Sequence, residues 1–196
     1  ATLHAAFLTD MAANRFNYSF LHYRNPDTAG HADGWGSPGW NIAVKEIDGY
    51  LGDILNLIEA DPLLDHHTAI IFSADHGGTG TGHGDPTNPA DYTIPFLVWG
   101  AGVANGVDLY DVNASTRLDP GTLRPDYNAL LQPIRNGDGA NLALGLLGLG
   151  AIPGSTINAD QSLNVVPLPA AAWMGLGLLA GLGAIRKLRG RTRSPV

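Results

Sequence analysis

The sequence contains no cysteine among its 196 residues. This absence excludes disulfide bonds and thiolate metal ligands, so any metal ion must be held by histidine and carboxylate side chains. Positive charge is also scarce, with 11 lysine and arginine residues against 18 aspartate and glutamate residues. Five of the basic residues lie in the last eleven positions, which leaves the rest of the chain strongly acidic. That balance argues against a nucleic-acid-binding surface, and it suits a phosphate-bearing substrate only if metal ions supply positive charge.

Hydrophobic patterns in the first half of the chain predict a βαβ unit. Asn17–Tyr23 alternates aromatic and other side chains as a strand does, and Trp40–Ala60 carries apolar residues at three- and four-residue steps, typical of an amphipathic helix. Thr68–Ser73 and Thr93–Trp99 are short apolar runs that predict buried strands. The order strand, helix, strand favours a parallel sheet, whose ligands gather beyond the carboxyl ends of the strands.

The second half is less regular. Glycine and proline number 26 and 13 in the whole chain, which indicates many turns and long loops. Gly106–Arg135 lacks periodicity and predicts irregular surface structure, whereas Asn141–Leu149 predicts a short helix.

Five potential metal ligands follow the predicted strand ends. Asp27 and His31 lie four residues apart after the first strand, and Asp75 and His76 follow the next. His83 comes at the end of a glycine-rich run whose backbone can approach a ligand closely. Taken singly, these features also suit a capping aspartate, surface histidines and a flexible linker. Together they supply carboxylate and imidazole ligands that suit a divalent ion.

The remaining histidines of this region have simpler interpretations. His22 lies on the aromatic face of its predicted strand and is expected to pack there. His66 and His67 precede the next strand, at the end away from the expected site, and are expected at the surface.

Three stretches carry a family resemblance: the PD..GH element at Pro26–His31, the strand followed by ADHGG at Ala69–Gly78, and YTIPFLVWGAG at Tyr92–Gly102. They resemble the type I phosphodiesterase and nucleotide pyrophosphatase branch of the alkaline phosphatase superfamily. The resemblance covers residues 15–163. It implies an α/β fold, namely the C-terminal part of a sandwich of helices around a mainly parallel sheet.

The resemblance also implies two divalent metal ions, with Zn²⁺ expected and Mn²⁺ or a mixed pair compatible with the ligand types. Asp27 and His31 would bind one ion and Asp75 and His76 the other. His83 would be a further ligand of the first ion or a contact to the substrate phosphate. The family's Thr or Ser nucleophile has no counterpart before Asp27, so we expect it upstream of this sequence and expect this chain alone to be inactive.

The function that follows is hydrolysis of phosphate esters by a phosphodiesterase or phosphatase. A sulfatase or, less readily, a sugar-phosphate mutase would fit the same fold. A different class of function also stays open, in which the metal-binding domain is a non-catalytic module of an exported surface or matrix protein.

The end of the chain predicts a membrane segment. Val165–Ile185 contains no charged residue, and a basic cluster follows directly. We therefore divide the chain into a domain at 1–163 and a tail at 164–196 with a transmembrane helix at 166–185; a buried core helix is the alternative. The VPLPAAAW run at Val166–Trp173 resembles a PEP-CTERM sorting signal. It implies an exported bacterial protein, periplasmic or at the cell surface, anchored at least transiently and processed by an exosortase-like peptidase.

Overall fold

The structure is a computed structural model that describes residues 2–155 and 163–166. Helices and strands are mixed along this part of the chain. In order, the elements are α1 (Thr2–Asn14), α2 (Asn25–Asp33), α3 (Pro38–Ala60), β1 (Ala69–Ser73), α4 (Pro89–Tyr92), β2 (Phe96–Gly100), α5 (Leu109–Val112) and α6 (Asp138–Leu146).

Helix α3 is the longest element, and it confirms the helix predicted from the apolar periodicity. It begins after Ser37, whose hydroxyl accepts a hydrogen bond of 3.1 Å from the backbone N–H of Trp40. Pro38 occupies the first turn, where a backbone donor would have no partner in the helix. Helices α1 and α2 both pack on α3. Helix α3 is therefore the scaffold for the helical half of the molecule.

The two strands pair antiparallel, from Ala69 opposite Gly100 to Ser73 opposite Phe96. The predicted strands exist, but the predicted parallel sheet is wrong for this pair, and both strands are largely half-buried rather than buried. The reason is the connection between them, residues 74–95, which we call the histidine loop. It folds back on itself, so β2 starts beside the end of β1 and runs in the opposite direction.

The predicted strand at Asn17–Tyr23 is also wrong. These residues have no regular secondary structure and pair with no strand in the described part of the chain. The alternation of aromatic side chains does not correspond to a buried face, because Tyr18 and Phe20 are exposed. An alternating segment forms a strand when it pairs with a neighbouring strand, and this segment has no such neighbour among the described residues.

Helix α6 confirms the short helix predicted near residue 141, although it begins three residues earlier. Leu142 on this helix is buried with Leu163 and Val165, and partly buried side chains from both strands pack against them. Val165, which the predicted division assigned to the tail, therefore packs in this cluster. The rest of the predicted sandwich is not found in the described residues, where the sheet has two strands.

The stretch predicted as irregular surface is irregular apart from the single turn of α5, but it is not wholly at the surface. The side chains of Asn113 and Arg117 are fully buried. Asn113 bonds the backbone of Asn164, and Arg117 donates to Asp138 at 3.0 Å. Residues that are buried through polar contacts leave no apolar periodicity in the sequence, so the pattern could not predict their burial.

None of the described helices is both long enough and apolar enough to cross a membrane. The predicted sorting signal and transmembrane helix lie, from residue 167 onward, outside the described residues.

Candidate metal centre

The histidine loop leaves β1 and is closed at its base by backbone hydrogen bonds. The N–H of Gly77 donates to the carbonyl of Asp91 at 3.0 Å, and that of Gly78 donates to the carbonyl of Ala90 at 2.8 Å. The buried Asp91 carboxylate also accepts from the N–H of Asp85 at 2.8 Å. The loop is thus held where its two sides meet, and the part between them projects from the end of β1.

A tight turn at the tip of the loop places His83. Thr79 and Gly82 exchange backbone hydrogen bonds of 2.8 and 3.1 Å around Gly80, whose φ of 56° lies in the left-handed region that glycine adopts readily. This turn reverses the chain and brings His83 back over His76. The two imidazole rings stack at a centroid distance of 3.7 Å and an angle of 14°.

Helix α2 carries Asp27 in its first turn and His31 one turn later, on the same face. Its start is fastened to α3 because Asn25 donates to Glu46 at 2.7 Å. Hydrogen bonds from the Tyr50 hydroxyl and from Asn25 lower the pKa of Glu46, which keeps this acceptor ionised. The helix places these two side chains, four residues apart in sequence, side by side.

The two segments bring the predicted ligands together. One ligand atom from each of Asp27, His76 and His83 lies within 4.8 Å of the others. The Asp27 Oδ1 atom is 3.4 Å from Nε2 of His31 and 3.7 Å from Nε2 of His76. His76 Nε2 is also 3.6 Å from Oδ2 of Asp75. All five predicted residues therefore form one cluster beyond the end of β1.

Hydrogen bonds to backbone carbonyls fix the orientation of two of the histidine rings. Nδ1 of His31 lies 2.9 Å from the carbonyl of Thr81, and Nδ1 of His76 lies 2.8 Å from that of Gly77. A carbonyl can only accept, so Nδ1 carries the proton in both rings. In the neutral imidazoles, Nε2 then presents a lone pair to Asp27, an arrangement that proteins use to orient metal-binding histidines.

Asp27 Oδ1 is the atom that these lone pairs face. It is shielded from solvent, and no hydrogen bond reaches it from the described residues. A shielded carboxylate oxygen without a hydrogen bond is unfavourable unless positive charge lies beside it, supplied by a metal ion or by a protonated histidine. Zn–N and Zn–O bonds of about 2.1 Å at tetrahedral angles separate ligand atoms by about 3.4 Å. The observed 3.4 Å between Asp27 Oδ1 and Nε2 of His31 agrees with that spacing, so this pair fits a divalent ion.

Trp35 fills the space behind the histidines. Its indole lies edge-on to His31 at 5.2 Å and to His83 at 5.9 Å, and tilted to His76 at 6.4 Å, all between ring centroids. Gly30 and Gly78 both pack closely against this indole, since a Cβ on either glycine would overlap its Cδ2 and Cε2 atoms. The backbone N–H of Trp35 donates to the carbonyl of Gly80 at 2.8 Å. Trp35 therefore joins α2 to the histidine loop, a role that sequence reasoning missed.

A second cluster that the sequence analysis missed attaches α1 to α3. His4 is buried, with Nδ1 2.9 Å from the hydroxyl of Tyr23 and Nε2 3.2 Å from Asp53, and it stacks on Tyr50 at 4.2 Å. Burial raises the pKa of the Tyr23 hydroxyl, so it stays protonated as a donor. His22, expected to be packed, is instead exposed at the rim of a nearby cavity.

Comparison with known proteins finds a family model that matches the first part of the chain. Residues 1–93 match the model of the family described as Type I phosphodiesterase / nucleotide pyrophosphatase. The match contains all five residues of the cluster. No solved structure matches the chain.

Several curated relatives are named GPI ethanolamine phosphate transferase 1. The chain is 34% identical to the protein of Mus musculus over 84 residues, which is 43% of this chain and 9% of that protein. It is 34% identical to the protein of Gibberella zeae over 112 residues, 57% of this chain and 10% of that protein. Over 86 residues it is 40% identical to the protein of Aspergillus fumigatus, 43% of this chain and 8% of that protein. The chain spans about a tenth of the length of these relatives.

Proposed function

We propose that this chain is the metal-binding part of an enzyme that acts on phosphate esters with two divalent ions, for which Zn²⁺ is the expected choice. The observation that carries the proposal is the shielded oxygen of Asp27, which has no hydrogen bond and faces the Nε2 atoms of His31 and His76. The family match over residues 1–93 supports the substrate class.

In this proposal Asp27, His31 and His83 hold one ion, and Asp75 and His76 take part in holding the other. When bound, the ions supply positive charge to a phosphoryl group and activate a hydroxyl nucleophile. We propose that this nucleophile is a Thr or Ser from a part of the protein outside this sequence. The residues present here orient the ligand atoms, and the indole of Trp35 shields them from water on one side.

Transfer to an alcohol is a second candidate beside hydrolysis, because the relatives are named as phosphate transferases. The two outcomes differ only in whether water or an alcohol takes the phosphoryl group. Incubating the complete gene product with a phosphodiester and an alcohol such as ethanolamine distinguishes them. A phosphorylated alcohol indicates transfer, whereas product release that does not depend on the alcohol indicates hydrolysis.

Replacing Asp27 by asparagine is expected to weaken Zn²⁺ binding by at least about 100-fold, since it removes the charged oxygen at the centre of the cluster. His83→Ala is expected to weaken binding by about 10-fold or more if His83 is a ligand, and to leave it unchanged if His83 contacts only substrate. Competition with a chromophoric chelator measures both affinities on the 196-residue chain.

Asp48→Asn is the matched control, because Asp48 is exposed on α3 and belongs to no metal cluster in the described residues. It is expected to bind Zn²⁺ as the parent does. Equal affinities in the parent and in Asp27→Asn would contradict the proposed centre.

A further inference from the structure

Residues 117–138, which we call the strap, lie beyond the part of the chain that matches the phosphodiesterase family. Three side-chain hydrogen bonds connect the strap to the histidine loop. The Asn136 amide donates to the carbonyl of Asp75 at 3.0 Å, Arg124 donates to the carbonyl of Pro86 at 3.2 Å, and the Tyr92 hydroxyl donates to the carbonyl of Thr122 at 3.0 Å. The strap therefore contacts the loop near its start, its middle and its end.

The contact at Asp75 falls on the peptide unit between two of the predicted ligands. The carbonyl of this unit accepts from Asn136, and its N–H, on His76, donates to the Asp75 carboxylate at 3.1 Å. A peptide unit is planar, so fixing its oxygen also fixes the direction of its N–H. Rotation of this unit would turn the N–H of His76 away from the Asp75 carboxylate and break the hydrogen bond that holds this side chain.

The strap can hold the peptide because its own end is rigid. Arg117 and Asp138 form an ion pair at 3.0 Å with both side chains almost completely buried. The second oxygen of Asp138 accepts from the backbone N–H of Arg135 at 2.7 Å, which shapes the turn that presents Asn136. The middle of the strap, by contrast, is exposed, including Leu123 and Leu130. The buried pair thus anchors the turn next to the cluster rather than the strap as a whole.

We infer that Asn136 is a positioning residue for the metal centre, acting through the Asp75–His76 peptide. The inference rests on the proposed function, because it assumes that Asp75 and His76 bind a metal ion. It adds that the chain beyond residue 93 takes part in organising the centre. Asn136 itself is exposed and makes no described contact with Asp27, His31 or His83, so its effect must pass through the peptide.

Asn136→Ala in the 196-residue chain is expected to weaken Zn²⁺ binding by about 10-fold, the lower end of what outer-shell partners contribute. It is also expected to alter the visible absorption of bound Co²⁺, which reports ligand geometry. The unfolding midpoint of the metal-free chain should stay close to that of the parent, because the removed side chain is exposed. Asn128→Ala is the matched control, since Asn128 is exposed on the same strap.

The outcomes separate the two claims. A parent chain that does not bind Zn²⁺ overturns the proposed function and this inference with it. A parent that binds, with Asn136→Ala within about twofold of it in affinity and unchanged in its Co²⁺ spectrum, overturns only the inference. A fall in the midpoint of metal-free Asn136→Ala without a loss of affinity also overturns it, because Asn136 would then be purely structural.

Discussion

His76→Ala is expected to lower turnover of an aryl phosphate or aryl phosphodiester by at least about 100-fold in the complete gene product supplied with Zn²⁺. His76 has the central place in the cluster, since its Nε2 lies near both Asp27 and Asp75 and its ring stacks on His83. Removing the ring takes away a ligand atom and leaves two carboxylates without the group between them. Steady-state rates at saturating Zn²⁺ measure the effect.

His67→Ala is the matched control for this loss. His67 is exposed and lies before β1, at the end of the strand away from the cluster. It is a better choice than His66, whose φ of 58° makes alanine less suitable there. Turnover by His67→Ala is expected to match the parent. Equal losses in both variants would place the site elsewhere, and full activity in His76→Ala would contradict a metal mechanism at this cluster.

Gly77→Ala is expected to destabilise the folded chain by about 1–3 kcal/mol, because its new methyl group would overlap the backbone carbonyl of Ala90. Backbone at that point cannot move freely, since it accepts the hydrogen bond that closes the histidine loop. For a chain of this size, each kcal/mol lowers the unfolding midpoint by about 2–4 °C. Zn²⁺ affinity is expected to fall as well, since His76 is the adjacent residue.

Gly84→Ala is the matched control. It distinguishes the close contact at Gly77 from a general effect of replacing a glycine in this loop. A Cβ at Gly84 meets no atom within 4 Å, and Gly84 lies in the same glycine-rich run. Thermal unfolding of Gly84→Ala is expected to resemble that of the parent. If the two variants shifted the midpoint equally, the packing of Gly77 against Ala90 would not be what shapes the loop.

The proximity of the five candidate ligands was more predictable from sequence than the fold around them. Asp75, His76 and the glycine run follow directly after an apolar strand. Because they are close in sequence, they also lie close together in the structure. Asp27 and His31 were grouped with them as residues that follow a predicted strand end, and the family resemblance supported this grouping. Their contact with the loop depends instead on how α2 packs on α3. Trp35 carried no such signal, as its role becomes visible only when Gly30 and Gly78 are seen to pack on its indole.

The errors in the fold have a common physical cause. An alternating pattern such as Asn17–Tyr23 predicts a strand only if another strand lies beside it, and the pattern says nothing about that neighbour. Strand direction was likewise misjudged, since it depends on the hydrogen bonds that fold the histidine loop back at Gly77 and Gly78. The short helix α2 was missed because it has few apolar residues and contains Gly30, which is a poor helix former.

Buried polar residues were the other feature that composition could not reveal. Arg117 and Asn113 lie in a stretch that reads as surface, yet both are fully enclosed. Partners far along the chain contribute to this burial, Asp138 for Arg117 and Asn164 for Asn113. Pairings at such separations leave no periodic trace in the sequence.

Anomalous diffraction from a crystal of this chain grown with Zn²⁺ tests the central claim most directly. Data collected above and below the zinc absorption edge locate the ion without reference to activity. The account predicts a zinc peak about 2.1 Å from Asp27 Oδ1 and from Nε2 of at least one of the surrounding histidines. A chain that folds as described and shows no zinc peak beside Asp27, His31 and His83 would contradict it.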